Sequence, residues 1–149
     1  MTELDPVDRK LLSLLKRNAA AKYAELGQQL NLSAPAVFER VKRLRKSGAI
    51  RRYTVDVSPA ATGFGLGAYI LVYLKRRTCE EVFQDLGDFP EIEECHSLAG
   101  EASMMLKVRT GTSKDLETLI CALWHVDGID RTVTMLMLDT YHDDGVRVA

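Results

Sequence analysis

Five cationic side chains, Arg40, Lys42, Arg43, Arg45 and Lys46, fall within seven positions of the segment "LSAPAVFERVKRLRKSGAI" (residues 32–50), in a chain whose formal net charge is only −1. Guanidinium and ammonium groups at that density suit a polyanion, because each phosphate they neutralise releases a condensed counterion. Their spacing decides where the charge goes. Val37, Val41 and Leu44 stand at i, i+4 and i+7, the positions of one buried helical stripe. At 100° per residue, Pro35, Glu39, Lys42, Arg43 and Lys46 point away from that stripe, and Arg40 lies at its edge. Ser33 is a preferred helix cap, so Ser33, Ala34 and Pro35 begin the helix, and Gly48 ends it. Two readings follow: a solvated surface helix, the ordinary fate of a charge run, or a helix that meets nucleic acid. Arg40 has two outlets of its own, a DNA contact or an ion pair with an acidic neighbour such as Asp8 or Glu25 that locks the helices together.

Other chemistry is thinly represented. Cys79, Cys95 and Cys121 are odd in number and widely spaced, with no C-x-x-C pair, which gives neither a complete disulfide framework nor a zinc signature. Cys95 and His96 are neighbours on a strand and so point to opposite faces, which argues against a metal. His125 and His142 lack partners at ligand spacing, and no Ser/His/Asp order, phosphate loop or pair of catalytic carboxylates stands out. No catalytic residue, metal or cofactor is therefore expected. Met104, Met105, Met135 and Met137 read as core or interface filler, a soft surface that an apolar effector pocket could also use. Phe38 reads as packing rather than as a wedge between bases.

The elements that must position the basic helix are legible around it. Asp5-Pro6 is a helix start: Asp5 caps open N–H groups, Pro6 sits where its missing N–H costs nothing, and Asp8 favours the positive end of the helix dipole. Leu11, Leu12, Leu14 and Leu15 supply an apolar stripe, and "YAELGQQL" gives a second short helix with Leu26 and Leu30 on one face. Asn31 tolerates the left-handed conformation of a tight turn. Three short helices, the third basic outside and apolar inside, make a helix-turn-helix whose third helix enters the major groove. "AIRRYTVDV" then alternates as a short strand or wing carrying Arg51 and Arg52.

The charge is divided along the chain. Residues 1–60 hold 12 Lys+Arg against 6 Asp+Glu, a net of +6, and the remainder holds 8 against 15, a net of −7. A basic module facing a polyanion is thus tied to an acidic one. At 149 residues with 46% hydrophobic content, one ordinary domain or two small ones fit. "MTELDP" has no basic or apolar leader region, and "GLGAYILVYL" is about half the apolar length a membrane span needs. A cytoplasmic protein with no membrane partner is expected. The join falls in "SPAATGFGLG", where Pro59 and three glycines interrupt any period, so the expected domains are 1–57 and 67–149 with a linker at 58–66.

In the second half, "GAYILVYLK" (67–75) is β-branched and aromatic on both parities. Thr78-x-x-Glu81 is a capping box, and Cys79, Val82, Phe83 and Leu86 form a helical stripe. "IEECHSLAG" and "EASMMLKVR" follow as strands joined near Gly100. Thr112-x-x-Asp115 opens a further helix with Leu116, Leu119, Ile120 and Leu123 inside, and "IDRTVTMLMLDTY" closes as a strand. The order is βαββαβ, a ferredoxin-like domain with helices on one face of an antiparallel sheet, and the fold class is α+β. A first strand apolar on both parities cannot leave its second face in water, so that face is expected to pack against another subunit.

The chain resembles the Lrp/AsnC (feast/famine) family of transcription regulators nearly end to end. "LDPVDRKLLSLL", "ELGQQLNLSAPAVFERVKRLRKSGAI", "SLAGEASMMLKV" and "GIDRTVTMLML" carry the likeness, in order and at the family's spacing. The resemblance implies a dimer formed through the sheets, assembly into tetramers or octamers, and an amino-acid effector bound between subunits. It departs at Ser103, where the family usually has Asp after Gly-Glu-x, so a carboxylate near the effector pocket is missing. Gly27 and Asn31 stand where many helix-turn-helix units have Ala and Gly.

The expected DNA-binding residues are Ser33, Ala34, Pro35 and Glu39 at base edges, with Arg40, Lys42, Arg43, Lys46 and Arg51 as cations. The turn "AGEAS" offers Ala99, Gly100, Glu101 and Ser103 to an effector, and the resemblance places Thr132, Thr134 and Met135 near the same cleft. Gly100, Ser103 and Thr134 could donate to a carboxylate, and Glu101 could accept from an ammonium. The other reading of Gly100-Glu101 is a plain hairpin turn. A sequence-specific regulator of double-stranded DNA that senses a free amino acid is the leading reading. An architectural DNA-wrapping protein, or a small-molecule enzyme with a helix-turn-helix docking module, are the alternatives.

Overall fold

The computed structural model describes residues 3–142; the outermost residues of the two expected domains, 1–2 and 143–149, lie outside the described residues. The chain divides into two compact units, one reaching Asp56 and the other spanning Val57–His142.

The first unit holds three helices: α1 (Pro6–Arg17), α2 (Tyr23–Leu30) and α3 (Ala34–Lys46). Asp5 and Asp8 cap α1 reciprocally, the Asp8 N–H donating to Asp5 Oδ1 at 2.7 Å and the Asp5 N–H to Asp8 Oδ2 at 3.3 Å. The turn between α2 and α3 is tight because Asn31 takes the left-handed conformation at φ 54° and the Leu32 N–H returns to the Gly27 carbonyl at 2.9 Å. Ser33 caps α3, its Oγ accepting from the Ala36 N–H at 3.3 Å. Leu11, Leu15, Leu26, Leu30, Val37, Val41 and Leu44 close one core, each burial contributing about 1.5–3 kcal/mol.

The expected wing is not a strand. Residues 51–58 have no regular structure, and 51–57 are exposed throughout. The alternation of Tyr53, Val55 and Val57 with Arg52, Thr54 and Asp56 supplies a strand pattern, but a strand exists only where a neighbouring backbone pairs with it. Among the described residues none does.

The second unit begins with a single 3-10 turn, Pro59–Thr62, then runs β1 (Leu66–Leu74), α4 (Cys79–Leu86), β2 (Ile92–Ser97), β3 (Met104–Thr110), α5 (Ser113–Leu123) and β4 (Ile129–Leu136). This is the βαββαβ order read from the sequence. The sheet order is β2-β3-β1-β4, antiparallel throughout. Both capping boxes form: Thr78 with Glu81 on α4, and Thr112 with Asp115 on α5. One sheet face carries the helices, and Ala68, Ile70, Val72, Met104, Leu106 and Val108 pack there against Val82, Leu86, Leu116, Leu119 and Leu123. On the opposite face Tyr69, Leu71 and Tyr73 of β1 are half-buried beside Met105, Val133 and Met135.

Candidate functional site

The helix α3 sorts its charges by angle. Its outermost direction carries Pro35, Glu39, Lys42 and Lys46, all exposed, with Lys42 Nζ 3.7 Å from Glu39 Oε1. Ser33 and Ala34 lie at the capped N-terminus of the same helix, and Arg51 is exposed on the irregular segment that follows.

The two flanks of α3 are engaged. On one, Arg40 Nη1 donates to Asp5 Oδ2 at 2.6 Å and Asp8 Oδ1 at 2.7 Å. Arg43 Nη2 donates to both oxygens of Asp8 at 2.7 Å. Asp8 is 1% exposed, so its charge is matched by two guanidiniums rather than by water. The Arg40 guanidinium, bonded to Asp5, holds that carboxyl below the usual carboxylate range. Of the two acidic partners open to Arg40 in the sequence, Asp8 takes it, while the Glu25 carboxylate accepts from the Lys22 N–H at 3.4 Å. Arg43 therefore leans toward α1 instead of pointing straight out. On the other flank Phe38 meets Tyr23 edge-on at 5.9 Å, and the Arg45 guanidinium sits 5.9 Å from the Tyr53 ring. Phe38 is thus a packing residue. Neither flank's partner was named outright from sequence beyond the Asp8 option. The signal lay in Arg40 and Arg43 standing three apart on one side of α3, which one carboxylate can bridge.

The effector residues are not brought to one place within the chain. Ala99, Gly100 and Glu101 form an exposed turn, and a β-carbon on Gly100 would meet open space. Ser103 is turned inward: its Oγ accepts from the Leu74 N–H at 3.3 Å, and its carbonyl accepts from the Leu98 N–H at 2.9 Å and from the Cys79 thiol at 3.4 Å. Thr132 and Thr134 stand opposite Val72 and Ile70 and so share the helix-covered face, where Thr132 Oγ1 accepts from Trp124 Nε1 at 2.9 Å. Met135 stands opposite Tyr69 on the other face. Alternation along β4 makes this unavoidable for residues 134 and 135. A shallow pocket of about 180 Å³ lies beside Thr132, lined by Trp124, Ile129, Asp130 and Arg131.

Cys95 and His96 point to opposite faces, opposite Leu106 and Met105 respectively, and no group of three His, Cys, Asp or Glu residues among the described residues could hold a metal ion. Among the described residues no helix is long and apolar enough to cross a membrane.

Family comparisons match this geometry unit by unit. The model of the AsnC-type helix-turn-helix domain matches residues 4–45, and that of the Lrp/AsnC ligand-binding domain matches residues 67–146. The chain belongs to the Lrp/AsnC family. Relatives of this Lrp/AsnC chain include the HTH-type transcriptional regulator FL11 of Pyrococcus horikoshii, 31% identical over 94% of this chain and 93% of that protein. The HTH-type transcriptional regulator LrpA of Mycobacterium tuberculosis is 32% identical over 95% of this chain and 94% of its own. Among solved structures, the feast or famine regulatory protein of M. tuberculosis complexed with L-methionine superimposes at a TM-score of 0.92, with 30% identity over 99% of this chain and 100% of that one. AsnC of E. coli superimposes at 0.90, with 26% identity over 97% and 99%. This Lrp/AsnC chain is therefore a DNA-binding transcriptional regulator with a ligand-binding domain.

Proposed function

We propose that this regulator reads duplex DNA with the outer face of α3 and is switched by a free amino acid bound between copies of the chain. The observation that carries the DNA half is the sorting of charge on α3: Lys42 and Lys46 project from the solvent side behind the Ser33 cap, with Glu39 one turn ahead of Lys42. In this reading Lys42, Lys46 and Arg51 hold phosphates, and Ser33, Ala34, Pro35 and Glu39 approach base edges in the major groove. The effector half is supported by the M. tuberculosis relative that binds L-methionine. The expected effector residues do not converge within one chain, which accords with a site formed between copies. An apolar side chain on that amino acid suits the exposed, polarizable thioether of Met135. The chain acts without a cofactor, as a homo-oligomer joined through its sheets, in the cytoplasm.

The test is a duplex selected by the protein from a random-sequence pool, titrated against a random duplex with each amino acid in turn. A regulator keeps a preference of about a thousandfold or more for the selected duplex, and one amino acid moves that preference. A protein that binds both duplexes alike is an architectural one, and this reading falls.

A further inference from the structure

One buried carboxylate divides the positive charge of α3. Asp8 accepts from Arg43 Nη2 on both oxygens and from Arg40 Nη1, each at 2.7 Å, and also receives the Asp5 N–H. Arg40 and Arg43 are three residues apart, so α3 is gripped at two levels of one flank, while Phe38 against Tyr23 braces the other. A single contact would let the helix roll about its axis; grips at two levels and on two sides do not. Arg43 itself is half-exposed, with 49% of its side chain accessible, so only the bond to Asp8 keeps its guanidinium from surrounding phosphate.

Resting on the reading of α3 as the DNA-reading helix, we propose that Asp8 is a positioning residue for recognition. By clamping Arg40 and Arg43 it sets the roll of α3 and withholds Arg43 from the phosphate backbone, so that the face of Pro35, Glu39, Lys42 and Lys46 meets the duplex. The physical advantage is discrimination. Phosphate contacts add affinity for every sequence and carry no base information. A guanidinium held by Asp8 raises neither the affinity for random DNA nor its salt dependence, and specificity is the difference between the two affinities. Arg43 stays because its departure strips a buried carboxylate of two of its guanidinium bonds.

The experiment measures dissociation constants of the full chain for a selected and a random duplex between about 50 and 200 mM salt. Lys42→Gln should flatten the salt slope by about 0.9 and leave the preference between duplexes unchanged. Arg43→Gln should keep the wild-type slope and lose preference by about tenfold, the size of one base contact. Asp8→Asn should do the reverse of a charge loss: the slope steepens by about 0.9 as Arg43 is released to phosphate, random DNA is bound more tightly, and preference falls. Thermal unfolding reports whether Asp8→Asn is folded; where it is not, Arg43→Gln decides. The inference is overturned if Arg43→Gln flattens the slope as Lys42→Gln does with preference intact. It is equally overturned if a folded Asp8→Asn keeps both slope and preference, as a purely structural ion pair would. A wild-type chain that binds neither duplex overturns the DNA-binding reading itself, and the clamp's role with it.

Discussion

A β-carbon built on Gly27 would stand 2.5 Å from the carbonyl oxygen of Leu32, so the helix-turn-helix corner closes only around a hydrogen atom. Alanine is the better helix former by about 1 kcal/mol, yet here it must push the Leu32 backbone out of the turn that Asn31 makes. Gly27→Ala should therefore lower stability by about 1–3 kcal/mol, read as a fall in the thermal midpoint; an unchanged midpoint would mean that the turn yields. This explains why glycine stands where other helix-turn-helix units carry alanine, a departure visible in the sequence but without a reason there, because its cause is a carbonyl five positions on. Asp5 makes a second residue-level prediction. Its carboxyl is held below the usual range by Arg40 and by the Asp8 N–H, so the folded chain binds fewer protons than the unfolded one around that range. The resulting stability is complete above the unfolded value of about 3.9 and is lost as pH falls through the lower folded value. Asp5→Asn keeps a capping side chain and removes the titration. Acid unfolding should thus be less steep below about pH 4 in that variant than in the wild type; identical acid profiles would remove Asp5 from the account.

At the scale of elements, the caps were the most legible signal and the wing the least. Asp5-Pro6, Ser33, Thr78-x-x-Glu81 and Thr112-x-x-Asp115 each begin a helix as read, because a cap is a local bargain between one side chain and an N–H three residues on. The strands of the sheet were legible from alternation and apolar runs, since each finds a partner inside the chain. Residues 51–57 have the same alternation and find none among the described residues, and periodicity alone contains no information about partners. The expected effector residues lie apart within one chain for a related reason: resemblance grouped Thr134 with Met135 near a cleft between subunits, and strand alternation sends neighbours to opposite faces. The strength of the local signal can be measured. Thr112 Oγ1 accepts from the Asp115 N–H at 3.2 Å and donates to Asp115 Oδ2 at 2.7 Å. Thr112→Ala should cost about 1 kcal/mol in the denaturant-unfolding free energy, with the m-value preserved. A loss well below half of that would show that the Asp115 carboxylate, which also receives the Thr112 N–H, caps α5 alone.

For the whole molecule, the feature that bears on the proposed assembly is the open face of the sheet. Ala68, Ile70 and Val72 are wholly buried under the helices, which leaves Tyr69, Leu71 and Tyr73 on a face that no element of the second unit covers. That face is not uniformly apolar. Arg131 lies 3.5 Å over the Tyr73 ring, and toward the β2 edge Glu94 is held low by His96 and Lys107, while Arg109 Nε donates to Glu93 at 2.6 Å. An apolar centre beside a rim of satisfied charge is the composition of an interface rather than of a solvated surface. In the proposed reading an effector site completed by a second copy exists only in the assembled protein. Oligomer state and amino-acid binding should then fail together. Leu71→Arg puts a charge at the middle of the face without touching the helix-side core, so the variant should keep its helical and strand content by circular dichroism. In light scattering at micromolar concentration it should be a monomer where the wild type is at least a dimer. Calorimetric titration with the amino acid that binds the wild type should then show no heat of binding. A monomeric, folded Leu71→Arg that still bound the amino acid with wild-type affinity would place the effector site within one chain, and the pocket beside Trp124 and Thr132 would become the place to look.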